Sequence, residues 1–460
     1  MPVPRRRLAI VLAASVSVGV MAGTASATKG PYRLPSPVVS KLPNSDSHTE
    51  PSMVVDSAGR VFVSAIFGFP GYLGGNPATG GTQPGTPIWR SVDGGHHWTE
   101  HTTASAGPFA TNLGGGDSAL VLDKRDYIYD TDLWLGDDSI SYSTDHANTF
   151  LGSPISHRPL DDRNWLAYSP TDDAIYQIYD GYDGLWVSRA DLGGPIGVNE
   201  SLTFPNNYEV APESAASNVP SQLPTYTRAG IGPPGGIAVD PRNGTVYATW
   251  PDQFGVAVAK STDKGMTWAI NHIPQTTVSN SNGDCLWNFV PAAVDSQGHL
   301  YVAFSRIDGG TPSAPKGISI WLAESSDGVH WTSTRLPSQA TTSFPTLAVI
   351  GPDRVGVGWV ETTLKGDPNS PTPFGMATWR LRYAEVAGLA RGAKHIAETT
   401  IDPSAHSGTL FVGPQGGDRG MGDFFSMAAN RHGEVFFAYT QNRHGSSTVI
   451  VARLPQHAAP

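Results

Sequence analysis

From residue 50 onwards, apolar and polar positions alternate in short runs that are broken by tight turns. Residues 50–65 read Glu-Pro-Ser-Met-Val-Val-Asp-Ser-Ala-Gly-Arg-Val-Phe-Val-Ser-Ala, a strand, an Asp/Gly turn and a second strand. The same unit returns at residues 117–134, 163–179, 235–250, 290–304, 344–360 and 423–439. Turn chemistry such as Asp295-Ser-Gln-Gly298 and Pro241-Arg-Asn-Gly244 between β-branched and aromatic runs is the signal of a hairpin. A third apolar strand follows each unit, beginning near Ile88, Ile140, Leu185, Val256, Ile318, Arg380 and Thr448. After the seventh unit there is room for only three strands. Residues 37–42 precede the first unit without a partner, and are expected to supply the missing outer strand.

A second signature follows four of the third strands. Ser91-Val-Asp93-Gly-Gly95-His-His-Trp98 and Ser261-Thr-Asp263-Lys-Gly265-Met-Thr-Trp268 both read Ser-x-Asp-x-Gly-x-x-Trp. Ser143-Thr-Asp145-His-Ala147-Asn-Thr-Phe150 lacks the glycine, and Ser325-Ser-Asp327-Gly-Val-His-Trp331 is one residue shorter. Ser and Asp suit bonds to the turn backbone, Gly supplies positive φ, and the aromatic packs between sheets. These copies resemble the Asp-box (BNR) repeats of the sialidase-like β-propeller superfamily. The resemblance covers nearly all of residues 28–460 and implies an all-β propeller; sialidases of that type have six blades, whereas the seven repeated units here predict a single seven-bladed β-propeller of four-stranded blades. The resemblance also implies that Asp93 and Asp263 are structural, on the face away from the active one.

Composition narrows the picture. Gly 52 and Pro 38 make about one position in five a backbone punctuator, while 39% hydrophobic residues and 12 Trp argue against disorder. Cys285 is the single cysteine, which excludes an internal disulfide framework and a cysteine-based zinc site. Arg5, Arg6 and Arg7, the apolar run 8–23 and Ala25-Ser-Ala27 read as a secretory signal peptide over residues 1–27. The expected product is a secreted, extracellular and monomeric protein with no membrane span after processing. Its net charge of −10 makes nucleic acid a poor partner.

Loop lengths place the chemistry. The turns inside the hairpins are short, whereas the connections over residues 68–87, 193–234, 271–289, 362–378 and 387–422 are long. On a propeller the long set shares one face, around the axial mouth. Residues entering the innermost strands would ring that mouth, and four of them carry carboxylates: Glu50, Asp117, Asp162 and Asp423. Converging acids form a general acid/base pair or recruit a cation such as calcium, or arginines; otherwise each caps backbone amides of its own loop. Arg163, Arg306 and Arg419 are candidates for an anionic ligand group, and Trp134, Trp165 and Trp250 for stacking on a sugar.

Three functions follow. Tyr32-Arg33-Leu34-Pro35 resembles the arginine motif of secreted sialidases, although Glu50 holds the place directly before the first inner strand. A glycoside hydrolase acting on an extracellular carbohydrate or glycoconjugate would use the mouth carboxylates as acid and base. A binding-only propeller would use the same mouth for a glycan or a protein. A polysaccharide lyase would want a base such as His48 or Tyr439.

Overall fold

The computed structural model describes residues 33–67, 85–103, 116–134, 137–154, 161–181, 183–193, 202, 204–212, 234–252, 254–276, 289–311, 314–368, 370–392, 394–410, 420–443 and 446–457. The signal-peptide reading and Cys285 lie outside these residues.

Short alternating runs and punctuating turns produce an all-β chain. Four sheets are four-stranded and antiparallel, each made of consecutive strands. Unit 1 runs His48–Val55, Val61–Phe67, Pro87–Ser91 and Thr99–Thr102. Unit 2 starts at Ser118–Leu122, unit 3 at Asp162–Ser169 and unit 4 at Gly236–Val239. A twelve-stranded sheet holds three more antiparallel groups, starting at Ala292–Val294, Thr341–Gly351 and Ser426–Ala429; we call these units 5, 6 and 7. Single parallel residue pairs, Ile318 with Thr341 and His406 with Asn442, join those groups into one sheet.

Unit 7 draws its outermost strand from the other end of the chain. Val38–Asp46 runs antiparallel to Ser446–Leu454, with Val38 opposite Arg453 and Lys41 opposite Ile450. The strand is longer than residues 37–42. Trp89 of unit 1 fixes its far end by donating from Nε1 to the Pro43 carbonyl at 2.7 Å.

The first strand of each unit packs on the first strand of the next, and Ser426–Ala429 of unit 7 packs on His48–Val55 of unit 1. Among the described residues the buried apolar side chains form clusters at these seams. Tyr176, Ile178 and Val187 of unit 3 meet Val246, Ala248 and Trp250 of unit 4, and Val61, Val63 and Trp89 of unit 1 meet Phe436, Ala438 and Val451 of unit 7. Strands buried on both faces explain why several runs are continuously apolar. Four-stranded units stacked face to face in this way are consistent with a β-propeller.

The Ser-x-Asp turns share one hydrogen-bond pattern. Ser91 donates to Asp93 at 2.8 Å and accepts from Gly95 N–H at 2.8 Å, while Asp93 accepts from His97 N–H at 2.9 Å. Ser261 and Asp263 repeat this with Gly265 and Thr267, and Ser143 and Asp145 with Ala147 and Thr149. The copy lacking glycine still takes the left-handed backbone, at His146 (φ 60°) and Ala147 (φ 66°). Ala147 is buried with Phe62 and Ile88 of unit 1, so each such turn also contributes to a seam.

Not every connection is a loop. Residues 387–422 contain the 13-residue strand His395–Ser407, and residues 193–234 contain Asn206–Pro212. Both are fourth strands, whose outward faces are polar and so mask the alternation.

Candidate functional site

Three first strands begin with the same distortion. In unit 1 the pairing jumps from Thr49 to Ser52, in unit 3 from Asp162 to Trp165, and in unit 6 from Ser343 to Thr346. Each jump accommodates one extra residue, a β-bulge, which re-aims a side chain. The residue that absorbs it has a left-handed backbone: Glu50 (φ 53°), Arg163 (φ 56°) and Phe344 (φ 53°). Such conformations cost roughly 1–3 kcal/mol each in a non-glycine residue and concentrate at functional sites.

The consequence is convergence. The Arg163 guanidinium, 3% exposed, meets all four predicted carboxylates. It donates to Asp423 of unit 7, and its Nη1 lies 3.1 Å from Asp117 of unit 2 and 3.8 Å from Glu50 of unit 1. Asp162 Oδ1 is 3.9 Å from Nε and accepts the Arg163 backbone N–H at 2.8 Å. Burial alone would lower the pKa of this arginine. The charges of Asp117, Asp423, Asp162 and Glu50 reverse that and raise it, so it is a permanent cation. The carboxylates therefore surround one guanidinium, and Asp162 also caps the backbone of its own strand entry.

Exposure separates the four. Glu50 and Asp423 are fully buried, whereas the Asp117 and Asp162 side chains keep 12% and 19% of their surface. Asp423 and Asp117 are the nearest partners of Arg163 and Glu50 stands further off at 3.8 Å, while Asp117 and Asp162 also keep an edge in solvent. Beside them lies an aromatic floor. Trp165 meets Phe424 at 4.7 Å and Phe289 at 6.0 Å between ring centroids, and the Arg163 guanidinium sits 5.3 Å from the Phe289 centroid. Trp165 is half-buried and donates from Nε1 to the Pro234 carbonyl at 2.7 Å.

The remaining sequence candidates lie elsewhere. Trp250 is 2% exposed in the seam between units 3 and 4, where packing rather than stacking on a ligand accounts for it. Arg306 lies over the Trp321 ring at 4.6 Å, within unit 5. Arg419 and the side chain of Trp134 lie outside the described residues. Arg33 is exposed, and it is not among the groups that meet the carboxylates. His48 and Tyr439 are core residues. Burial takes His48 down to about 4, and Tyr439 donates its hydroxyl to Asp402 at 3.1 Å. Among the described residues no three His, Cys, Asp or Glu side chains are arranged to hold a metal ion, and Arg163 supplies the positive charge at the centre of the ring.

Sequence reasoning passed over three participants. Phe289 and Phe424 stand next to inner-strand starts, and the repeat phase could have marked them. Asp161 is buried between units 2 and 3, and that burial raises its pKa to about 7.

No family model and no curated protein matches this chain. Solved structures similar to it include a protein of unknown function from Dyadobacter fermentans, 14% identical over 92% of this chain and 99% of that one, with a TM-score of 0.47. The endosialidase of phage phi92 is 10% identical over 92% of this chain and 70% of that one, at 0.47. The GH93 α-L-arabinofuranosidase of Fusarium graminearum in complex with arabinobiose is 11% identical over 91% and 97%, at 0.44. At these identities and scores no activity transfers. Among the described residues no helix is long and apolar enough to cross a membrane.

Proposed function

We propose that the chain is a seven-bladed, sialidase-like propeller with Asp-box turns, closed by its N-terminal strand, which is secreted and acts on an extracellular glycan at the axial mouth. The closed ring is supported by the packing of unit 7 on unit 1 and by the pairing of Val38–Asp46 with Ser446–Leu454. The reaction we propose is glycoside hydrolysis, with Asp117 and Asp162 as the carboxylate pair and Trp165 as a wall for the sugar. One observation carries this reading: two carboxylates from different units keep part of their surface in solvent next to one fixed cation, beside an aromatic floor. Arg163, Glu50 and Asp423 are positioning residues beneath the pair. The test is release of reducing ends from a panel of neutral, anionic and amine-bearing glycans by the purified protein. Loss of that release in Asp162→Asn, with an unchanged melting temperature, supports the assignment.

A second reading is favoured by the same guanidinium. It is already paired with both Asp117 and Asp162, which an acid and a base acting on a sugar would have to turn toward the sugar instead. A binding-only propeller would retain glycans on an array and release nothing from any of them. The lyase reading has less support, since His48 and Tyr439 are both buried in packed seams.

A further inference from the structure

The seam between units 1 and 2 contains a second pair of acids, which the proposed reaction does not use. Asp130 and Asp132 lie two apart on the strand Ile128–Trp134, so both side chains project from the same face, and both are 0% exposed. The groups that face them are hydroxyls. Ser118 of unit 2 donates to Asp130 Oδ1 at 2.7 Å and is bonded at 2.6 Å to Ser64 of unit 1. Thr86 of unit 1 donates to Asp132 Oδ1, and Thr103, from the end of the same unit, donates to Asp132 Oδ2 at 3.3 Å. Three of the four carboxylate oxygens thus have a donor. Asp130 Oδ2 is buried and receives none. A buried carboxylate oxygen without a donor is costly, and the charge that acts on Asp130 is the like charge of Asp132.

A proton on Asp130 Oδ2, shared with Asp132, removes both penalties at once. We propose that Asp130 and Asp132 hold one proton between them, and that this proton clasps unit 1 to unit 2 in a seam that loosens when base removes it. The continuous chain runs from Ser64 through Ser118 and Asp130 to Asp132, and is met there by Thr86 and Thr103. Deprotonation leaves two facing carboxylates with no cation among the described residues that touch them.

The direction of the pH effect follows. Burial first, and the Asp132 charge second, push the Asp130 carboxyl well above its ordinary value; burial also raises Asp132 to about 6, against the bonds from Thr86, Asp130 and Thr103. An unfolded Asp releases its proton near about 3.9. The folded chain therefore keeps protons that the unfolded chain has lost, so this contribution to stability is fully present only below about 3.9 and declines as pH rises above it, the Asp132 share being lost by about 6 and the Asp130 share still falling beyond.

Asp130→Asn tests this, because the amide supplies the missing donor without titrating. Melting temperatures of the intact chain and the variant are compared at about pH 5 and about pH 8.5. The variant is expected to gain on the parent between the two, melting further above it at pH 8.5 than at pH 5. Its infrared spectrum is expected to lose one protonated-carboxyl band that the parent keeps at neutral pH. A melting difference of the same size at both pH values, or no lost band, overturns the proposal. Should Asp130→Asn fail to fold, Asp132→Asn serves instead, since removing either carboxyl removes the shared proton.

Discussion

Arg163 is held by groups from four units, and replacing it would strand four acids in or near the core. Removing one partner of a buried ion pair typically costs about 3–5 kcal/mol. Arg163→Ala is expected to lose at least that in denaturant titrations at pH 8, and to recover part of it at pH 5, where the stranded carboxyls take up protons. Asp162→Asn keeps an acceptor for the Arg163 backbone N–H, so its fold should survive. If the hydrolase reading holds, its turnover should fall by roughly 10²–10⁴, the range for loss of a general acid or base. His48 gives the opposite pH dependence to the Asp130 pair. Its folded pKa of about 4 lies below the ordinary value of 6.5, so the stability it contributes is present above 6.5 and is lost as pH falls through 4. His48→Phe should flatten the acid limb of a melting-temperature profile. The repeat phase put Glu50, Asp117, Asp162 and Asp423 at inner-strand starts, and all four do converge. That an arginine would meet converging acids was legible, but that Arg163 stands at their centre was not, because a left-handed residue inside a bulge leaves no composition signal. Trp250 was misplaced because its strand is buried on both faces, and alternation then cannot distinguish a core side chain from a mouth one.

The bulge is the element that converts a repeated hairpin into a site. It occurs where the first strands of units 1, 3 and 6 enter, and the charged and aromatic residues at those positions turn inward. Gly422 fits against one of them. It has φ +68°, and a Cβ there would stand 2.3 Å from Glu50 Cγ. Gly422→Ala is expected to cost about 1–3 kcal/mol from backbone strain, and more from displacing Glu50, read as a lower denaturation midpoint. At the opposite end of the strands, the Ser-x-Asp turns were readable even in degenerate form, because two side chains define the geometry and glycine only eases it. Their tryptophans are half-buried, whereas Phe150 is buried. Trp268 packs on Gly265, which itself rests on Tyr176 and Val187 of unit 3. Trp268→Ala should therefore cost less than the roughly 3–5 kcal/mol of a fully buried tryptophan, with ligand binding unchanged. The fourth strands were the least legible elements, since one polar face and variable length resemble a loop.

At the scale of the molecule, the stacking of units leaves Val38–Asp46 and Ser446–Leu454 side by side in unit 7. A chain that lacks residues 28–46 would expose the whole edge of Ser446–Leu454 and the Trp89 side chain that Pro43 covers. It should elute as aggregate in size-exclusion chromatography, whereas removal of residues 458–460 should leave the melting temperature unchanged. The same pairing bears on how the molecule comes together. Ser40 and Val451, which face each other, are 411 residues apart in sequence. Every other four-stranded unit is assembled from neighbouring segments, so local hairpins can precede their docking, but this one must await nearly the entire polypeptide. Contacts so distant in sequence slow the search for the native state. Amide protons of Val38–Asp46 should accordingly gain protection last in pulse-labelled refolding, after the hairpins of units 1 to 6. By the same token this strand is the zip that must open first, and the lifetime of the folded molecule is governed by how rarely it does.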